Sequence, residues 1–245
     1  MKTLVKIELL KLKRSPLVPL SLVGALTPPL LILVGLLKAN YIDQVGPMSF
    51  EAIMQEGNLY TILLFYPILY SILAAFLFTR DYTEQTIKTM FSLPIHKKHY
   101  LHAKFLLYFL WTLGIGILSY ITMVIVALIS GALAVQINIL LSQLLYYLIS
   151  NLLLSLSFTT IILSALLSKN IYVPLLLAAS ICLINIFLSN EPLAYYFPFS
   201  YPYLITTAKD LFFTRPELLG FLFTIITGLS GYLLSLHIFQ SRDIL

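Results

Sequence analysis

The run FLLYFLWTLGIGILSYITMVIVALISGALAVQINILLSQLLYYLISNLLLSLSFTTIILSALLS, Phe105 to Ser168, holds 64 residues without one Asp, Glu, Lys or Arg. A bilayer core about 30 Å thick is crossed by roughly 20 apolar residues in a helix. This run is therefore long enough for two crossings, with a reversal at Ser130-Gly131 or at the polar Gln136 and Asn138. Working outward, charge-free stretches recur at Ser15–Leu37, Leu59–Thr79, Ile171–Ser189 and Leu218–Phe239. Together they predict one membrane domain over residues 1–245, with spans at 15–37, 59–79, 105–129, 139–168, 171–189 and 218–239. The expected fold is an all-α polytopic membrane protein of six transmembrane helices. A membrane β-barrel would alternate apolar and polar residues over segments of about ten, a pattern missing here. Composition agrees: 60% of residues are hydrophobic, 10% are charged, and the mean hydropathy is +0.95.

Orientation follows from Lys and Arg. With both ends on one side, that side holds Lys2, Lys6, Lys11, Lys13, Arg14, Arg80, Lys88, Lys97, Lys98, Lys104, Lys169 and Arg242; the other holds Lys38, Lys209 and Arg215. The positive-inside rule then places both termini and the Arg80–Lys104 loop in the cytoplasm, as in a multi-pass protein of a plasma membrane. The net charge of +5 is topological and suits anionic lipid; it does not point to nucleic acid. The first apolar run is too long for a secretory signal and has no small-residue exit before Lys38. Ahead of it, residues 2–14 mix Leu, Val and Ile with basic residues, which predicts an N-terminal interfacial helix; a disordered basic tail is the alternative.

Within the spans no ionisable Asp, Glu, Lys or Arg is found, whereas ion-coupled carriers keep such groups at depth. There is also no G-x-x-x-x-G-K-[ST] loop, so the chain does not hydrolyse ATP by that route and is not by itself an enzyme. Gln143, Tyr147, Ser150, Ser157, Ser164 and Ser168 form one polar stripe of the fourth span, read as helix packing. Tyr66, Tyr70 and Asn185 are the candidates for a substrate path. Pro28-Pro29 deprives Gly24 and Ala25 of their helical donors, marking either a hinge or a packing kink. Asn190–Glu217 is too proline-rich to span and too aromatic for water, so it should dip into the outer interface as a re-entrant segment covered by protein.

The segment RDYTEQTIKTMFSLPIHKKHYLHAK, Arg80–Lys104, interrupts all this apolarity. Asp81 and Glu84 have capping-box spacing, Ile87, Met90 and Phe91 recur at helical intervals, and Pro94 disfavours helix at Leu93. That predicts a short helix over about Tyr82–Ser92 bearing an apolar knob. The knob enters either a partner protein or the headgroup layer. His96, His99 and His102 repeat every three residues, but the third drifts about 120° round a helix from the first and Lys97 and Lys98 repel cations. They read as a basic interfacial patch, not a metal site.

Glu84-x-Thr86-Ile87-x-x-Met90-Phe91-Ser92-Leu93-Pro94-Ile95, followed by Lys97-Lys98, resembles the segment after the second span of ABC transporter permeases of the second exporter type. More narrowly, it resembles the bacitracin-resistance, lantibiotic-immunity and amphipathic-peptide-export branch. The basic IELLKLKRS start, the six spans and the FPFSYPYLIT segment carry the likeness along most of the chain. Gln85 stands where many members have Gly, and His96 where Ser is common.

The resemblance implies that the loop between spans two and three is a coupling helix docking into a separately encoded ABC ATP-binding subunit. Glu84, Thr86, Ile87, Met90, Phe91, Leu93 and Pro94 would be its coupling residues. It further implies two permease chains, as a homo- or heterodimer, with two copies of the ATPase; ATP and magnesium would be bound by that subunit, with no cofactor in this chain. The expected function is ATP-driven export of, or immunity to, amphipathic or antimicrobial peptides in a bacterial membrane. Alternatives are export of lipids, lipid-linked glycans or small ions, or a non-transporting scaffold recruiting a cytosolic partner.

Overall fold

A computed structural model of the chain describes residues 2–13, 15–43, 46–87, 96–206 and 215–241. Among these, regular structure is helical, and five helices are long and apolar enough to cross a membrane; Tyr172–Leu188 is a shorter sixth apolar helix. Helix α1, Lys2–Lys13, buries Glu8 and Leu12 against the bundle and leaves Ile7, Leu9 and Leu10 exposed. A helix docked by one face and apolar on another suits the interfacial placement expected of it.

The first span, α2, runs over Leu17–Tyr41 with Pro28 and Pro29 inside it. Pro29 cannot donate to the carbonyl of Ala25. That carbonyl accepts instead from the Ser119 hydroxyl of the third span at 2.9 Å, so the proline break is joined to a neighbouring helix.

The second span begins well before its apolar run. Helix α3, Phe50–Tyr60, is capped by Ser49, whose side chain accepts from the Ala52 amide. It continues through a single π-turn, Thr61–Phe65, into α4, Tyr66–Thr83. The polar Glu51, Gln55 and Glu56 of α3 hid this extension from a search for charge-free runs. A π-turn widens the helix and loosens its carbonyls. Here Leu63 O accepts from Asn185 Nδ2 at 3.1 Å, and Leu64 O faces Cys182 Sγ at 3.4 Å.

Helix α5, Lys97–Ile129, reverses at Ser130-Gly131, where Gly131 takes φ +75°. Helices α6, Ile137–Ser157, and α7, Thr159–Ser168, form the fourth span, and α8, Tyr172–Leu188, the fifth. The last span is α10, Arg215–Ser241. Small residues let it lie close to the fourth: a Cβ on Gly228 would stand 2.3 Å from Leu156, and one on Gly231 2.5 Å from the Thr160 nitrogen. Val34, Leu176, Phe187 and Ile226 point outward, as lipid-facing positions do.

Between α8 and α10, a 3-10 turn Pro192–Tyr196 and the short α9, Tyr201–Leu204, fold back into the bundle. Tyr201, Pro202, Tyr203, Leu204 and Ile205 are buried there, so irregular backbone is covered by protein, as a bilayer requires. Asn58 Nδ2 donates to Thr206 Oγ1 and Gln55 Nε2 to Thr206 O, both at 3.2 Å.

These contacts define two ends. At the terminal end, Tyr100 stacks on Phe239, Lys97 Nζ donates to Gln240 O, and α1 bonds to Asp81. At the far end, Asn40 Nδ2 reaches Ser130 O at 3.1 Å and Met48 and Leu133 pair through their backbones at 2.9 Å.

Candidate functional site

At the terminal end, four buried or half-buried charges meet. Asp81 sits in the last turn of α4, its carboxylate 2.5 Å from Lys104 Nζ on α5 and 3.0 Å from Lys11 Nζ on α1. Glu8 of α1 lies 2.8 Å from Lys11 and 3.7 Å from Lys104. The Tyr100 hydroxyl donates to Asp81 Oδ2, the oxygen that Lys104 also contacts, and Lys104 also donates to the carbonyl of Leu77. Two carboxylates face two ammonium groups, so the cluster is neutral. Buried ions persist only when paired and hydrogen-bonded in this way.

This corrects one expectation from the sequence. Asp81 does not cap a new helix: α4 continues through Thr83, and Glu84–Thr86 form a turn after it. A capping box is a local pattern, but the partners that claim Asp81 lie 23 and 70 residues away. Glu84 closes α4 instead, bonded to Arg80 Nε at 2.8 Å, and Arg80 in turn donates to the carbonyl of Lys11. Gln85 has φ +54°, the left-handed region that Gly enters freely and other residues enter at a cost. The position where the resembling family often carries Gly is thus one whose backbone asks for it.

Of the coupling residues named from sequence, Thr86 donates to Asp81 Oδ1 at 3.2 Å. Ile87 is 6% exposed and belongs to the same apolar cluster as Leu12, Leu77 and Tyr100. It is therefore a root that fixes the segment to the bundle and not part of an exposed knob. Met90, Phe91, Leu93 and Pro94 lie outside the described residues. Lys169, in the next loop, holds its ammonium 5.2 Å above the Tyr82 ring, so a second loop on this end touches the same turn.

The substrate-path candidates are all in the interior. Tyr66 and Tyr70 stack at 4.8 Å, and the Tyr70 hydroxyl donates to Asn151 Oδ1 at 2.5 Å. Asn151 donates to the carbonyl of Thr112. Asn185 is fully engaged: besides Leu63 O, it accepts from Ser200 Oγ at 2.8 Å, clamping the re-entrant segment to the π-turn. The polar stripe of the fourth span also turns inward, with Ser157 Oγ donating to Pro198 O. Ser71, Tyr108, Gln143 and Ser150 carry buried oxygens without a hydrogen-bond partner among the described residues. His102 Nδ1 lies 2.6 Å from the Tyr232 hydroxyl of the last span, and His96 stands edge-on to His99; the three do not converge.

Sequence patterning alone did not reveal Lys11 and Lys104 as the partners of Asp81, or Glu8 as the second carboxylate on the same two ammonium groups. One signal was present: Glu8 is the single acid among the basic residues before the first span.

Two comparisons bear on this architecture. The chain is 26% identical over 209 residues to the bacitracin transport permease protein BCRB of Bacillus licheniformis, covering 84% of this chain and 98% of that one. A family described as ABC-2 family transporter protein matches residues 4–185, which includes the charge cluster, the turn after α4, the first four spans and most of the fifth. The chain belongs to the ABC-2 transporter family, as a multi-pass membrane permease subunit of the kind that works with an ATP-binding subunit.

Proposed function

We propose that this permease exports amphipathic or antimicrobial peptides from a bacterial plasma membrane, driven by ATP and magnesium bound in two copies of a cytosolic ATP-binding subunit. Two permease chains form the membrane unit, with the terminal end in the cytoplasm. The observation that carries the reading is the Thr86–Asp81 contact. The segment bearing Met90, Phe91, Leu93 and Pro94 is rooted at a turn bonded through Asp81 to α1 and α5 at once. A push on that segment by a docked ATPase therefore reaches the first and third spans through short, stiff, charge-assisted bonds. The peptide cargo is supported by the likeness to a bacitracin transport permease and by an interior built of Tyr and Ser without charge. In that interior, Tyr66, Tyr108 and Ser150 carry hydroxyls without a hydrogen-bond partner among the described residues, and these would be offered to a passing backbone.

The test is reconstitution of the permease with its ATPase in vesicles and measurement of ATP-dependent uptake of a labelled cationic peptide antibiotic. Truncating a buried interface anchor costs about 2 kcal/mol or more, roughly thirtyfold in affinity. Phe91→Ala should lower ATPase co-purification by that order and stop uptake, while the permease still inserts and folds. Unchanged docking and transport in Phe91→Ala would refute the coupling role, and uptake without ATP would refute the class of transporter.

A further inference from the structure

At the far end, α2 and α3 diverge around a cleft of about 410 Å³, lined by Leu31, Ile32, Gly35, Leu36, Ala39 and Met48 with Glu56 and Tyr60. Its size falls within the range of small-molecule sites. The wall from α2 is a helical stripe, Leu31–Gly35–Ala39 beside Ile32–Leu36, without a polar atom beyond the backbone. The wall from α3 brings Glu56 and, one turn deeper, Tyr60, on the same face because they are four residues apart. Among the described residues no cation pairs with Glu56.

Depth along the second span places the carboxylate. Glu56 and Arg80 are 24 residues apart in sequence, about 36 Å at 1.5 Å per residue, slightly more than the roughly 30 Å hydrocarbon core. With Arg80 at one interface, Glu56 stands at headgroup level of the other leaflet, and Tyr60, Ile32 and Leu31 lie below it. The cleft thus has an anionic mouth and an apolar floor. Among the described residues at this end, the five acids Asp43, Glu51, Glu56, Glu191 and Glu217 stand against Lys38 and Arg215. A field of that sign attracts cations.

We infer that this cleft binds a cationic amphiphile from the outer leaflet, its amine or ammonium group on Glu56 and its apolar chain along Leu31, Ile32 and Leu36. The Tyr60 ring adds a π-face within reach of the same cation. The inference rests on the exporter reading and narrows its cargo: the transported molecule carries positive charge next to an apolar stretch. It also gives the cargo a station on the side to which it is delivered.

The test uses the full-length chain in phosphatidylcholine nanodiscs with two photoreactive probes, a diazirine-bearing dodecyltrimethylammonium and the matching dodecyl sulfate. Crosslinks are mapped by mass spectrometry. The cationic probe should label residues 31–39 and 48–60, be displaced by unlabelled dodecyltrimethylammonium, and label at least tenfold more than the anionic one. Glu56→Gln, which removes charge without volume, should cut labelling at least tenfold. Glu51→Gln, which removes an equal charge from the surrounding field but not from the cleft, should cut it less than about twofold, since five residues at 100° each turn Glu51 about 140° away. A Cβ on Gly35 meets nothing within 4 Å, so Gly35→Leu fills the cleft without a clash and should abolish labelling. Gly114→Leu, equally free of contacts but on the third span, should not. Equal labelling by both probes, or full labelling of Glu56→Gln, overturns the site. If wild-type vesicles transport peptide with ATP and Glu56→Gln labels fully, only the cleft fails; if wild type does not transport, the exporter reading fails whatever the labelling.

Discussion

Asp81→Leu is the sharpest perturbation of this fold. The side chains of Asp81, Lys104 and Glu8 are 3%, 3% and 5% exposed, and that of Lys11 26%. Removing Asp81 leaves two ammonium groups sharing one carboxylate, and takes the acceptor from Tyr100 and Thr86. Breaking a buried pair from one side costs about 3–5 kcal/mol, a large part of a total stability of about 5–15 kcal/mol. Lys104→Met alone leaves two carboxylates against Lys11 and should cost a similar amount. The double variant restores neutrality. Buried ion pairs replaced by apolar residues of similar volume are commonly tolerated, so the double should be more stable than additivity predicts by at least about 2 kcal/mol. Unfolding free energies in mixed micelles, titrated with dodecyl sulfate, measure all three. Single costs below about 1 kcal/mol, or strict additivity, would refute the buried neutral cluster. A second readout separates folding from coupling: the folded double has no anchor for Thr86, so it should still bind the ATPase yet lose ATP-driven transport.

Gln85→Gly should raise stability by about 1 kcal/mol, because a left-handed residue with a Cβ costs roughly 1–2 kcal/mol, part of which the greater freedom of unfolded Gly offsets; a lower unfolding midpoint would contradict the assigned turn. Ser119→Ala should cost about 1–3 kcal/mol by leaving the Ala25 carbonyl bare, and adding Pro29→Ala should recover most of it, since residue 29 regains the N–H that the carbonyl lacks; failure of the rescue would refute the cross-helix repair. For orientation, single cysteines in a Cys182→Ser background should react with impermeant maleimide from outside at Leu193→Cys and only after permeabilisation at Lys98→Cys, both exposed positions; the reverse pattern would invert the topology and with it the docking role of residues 80–104.

The spans were legible because lipid imposes a coarse rule, long apolar runs, that survives without knowledge of contacts. The reversal after the third span was narrowed to two places, Ser130-Gly131 or Gln136 and Asn138; the turn falls at the first and the next helix starts beside the second. The start of α3 was not, since Glu51, Gln55 and Glu56 face the far end and the cleft while Phe50, Ile53 and Met54 are buried; a helix that leaves the bilayer keeps its fold but loses its apolar signature. The role of Asp81 was hidden because its spacing to Glu84 satisfies a local motif, and only the tertiary fold brings Lys11 and Lys104 to it. Asn185 was singled out as a polar residue in a span. Its use as a clamp depends on a π-turn, for which Thr61–Phe65 offers no sequence mark. The Ala25 carbonyl was identified as bare from Pro29 alone, but nothing local names Ser119 as its donor.

The π-turn of the second span makes that rod a screw. One extra residue is wound into Thr61–Phe65, and an α-helix advances about 100° per residue. If the turn tightened to α geometry with every residue retained, α3 would rotate by about that angle relative to α4. Glu56 would swing out of the cleft while Asp81 stayed bonded. Asn185, Ser200 and Cys182 are the ratchet that holds the wound position. Deleting one residue from the turn would erase the winding without rotating either end, giving a permease with both faces in register and an unbroken α-helix between them.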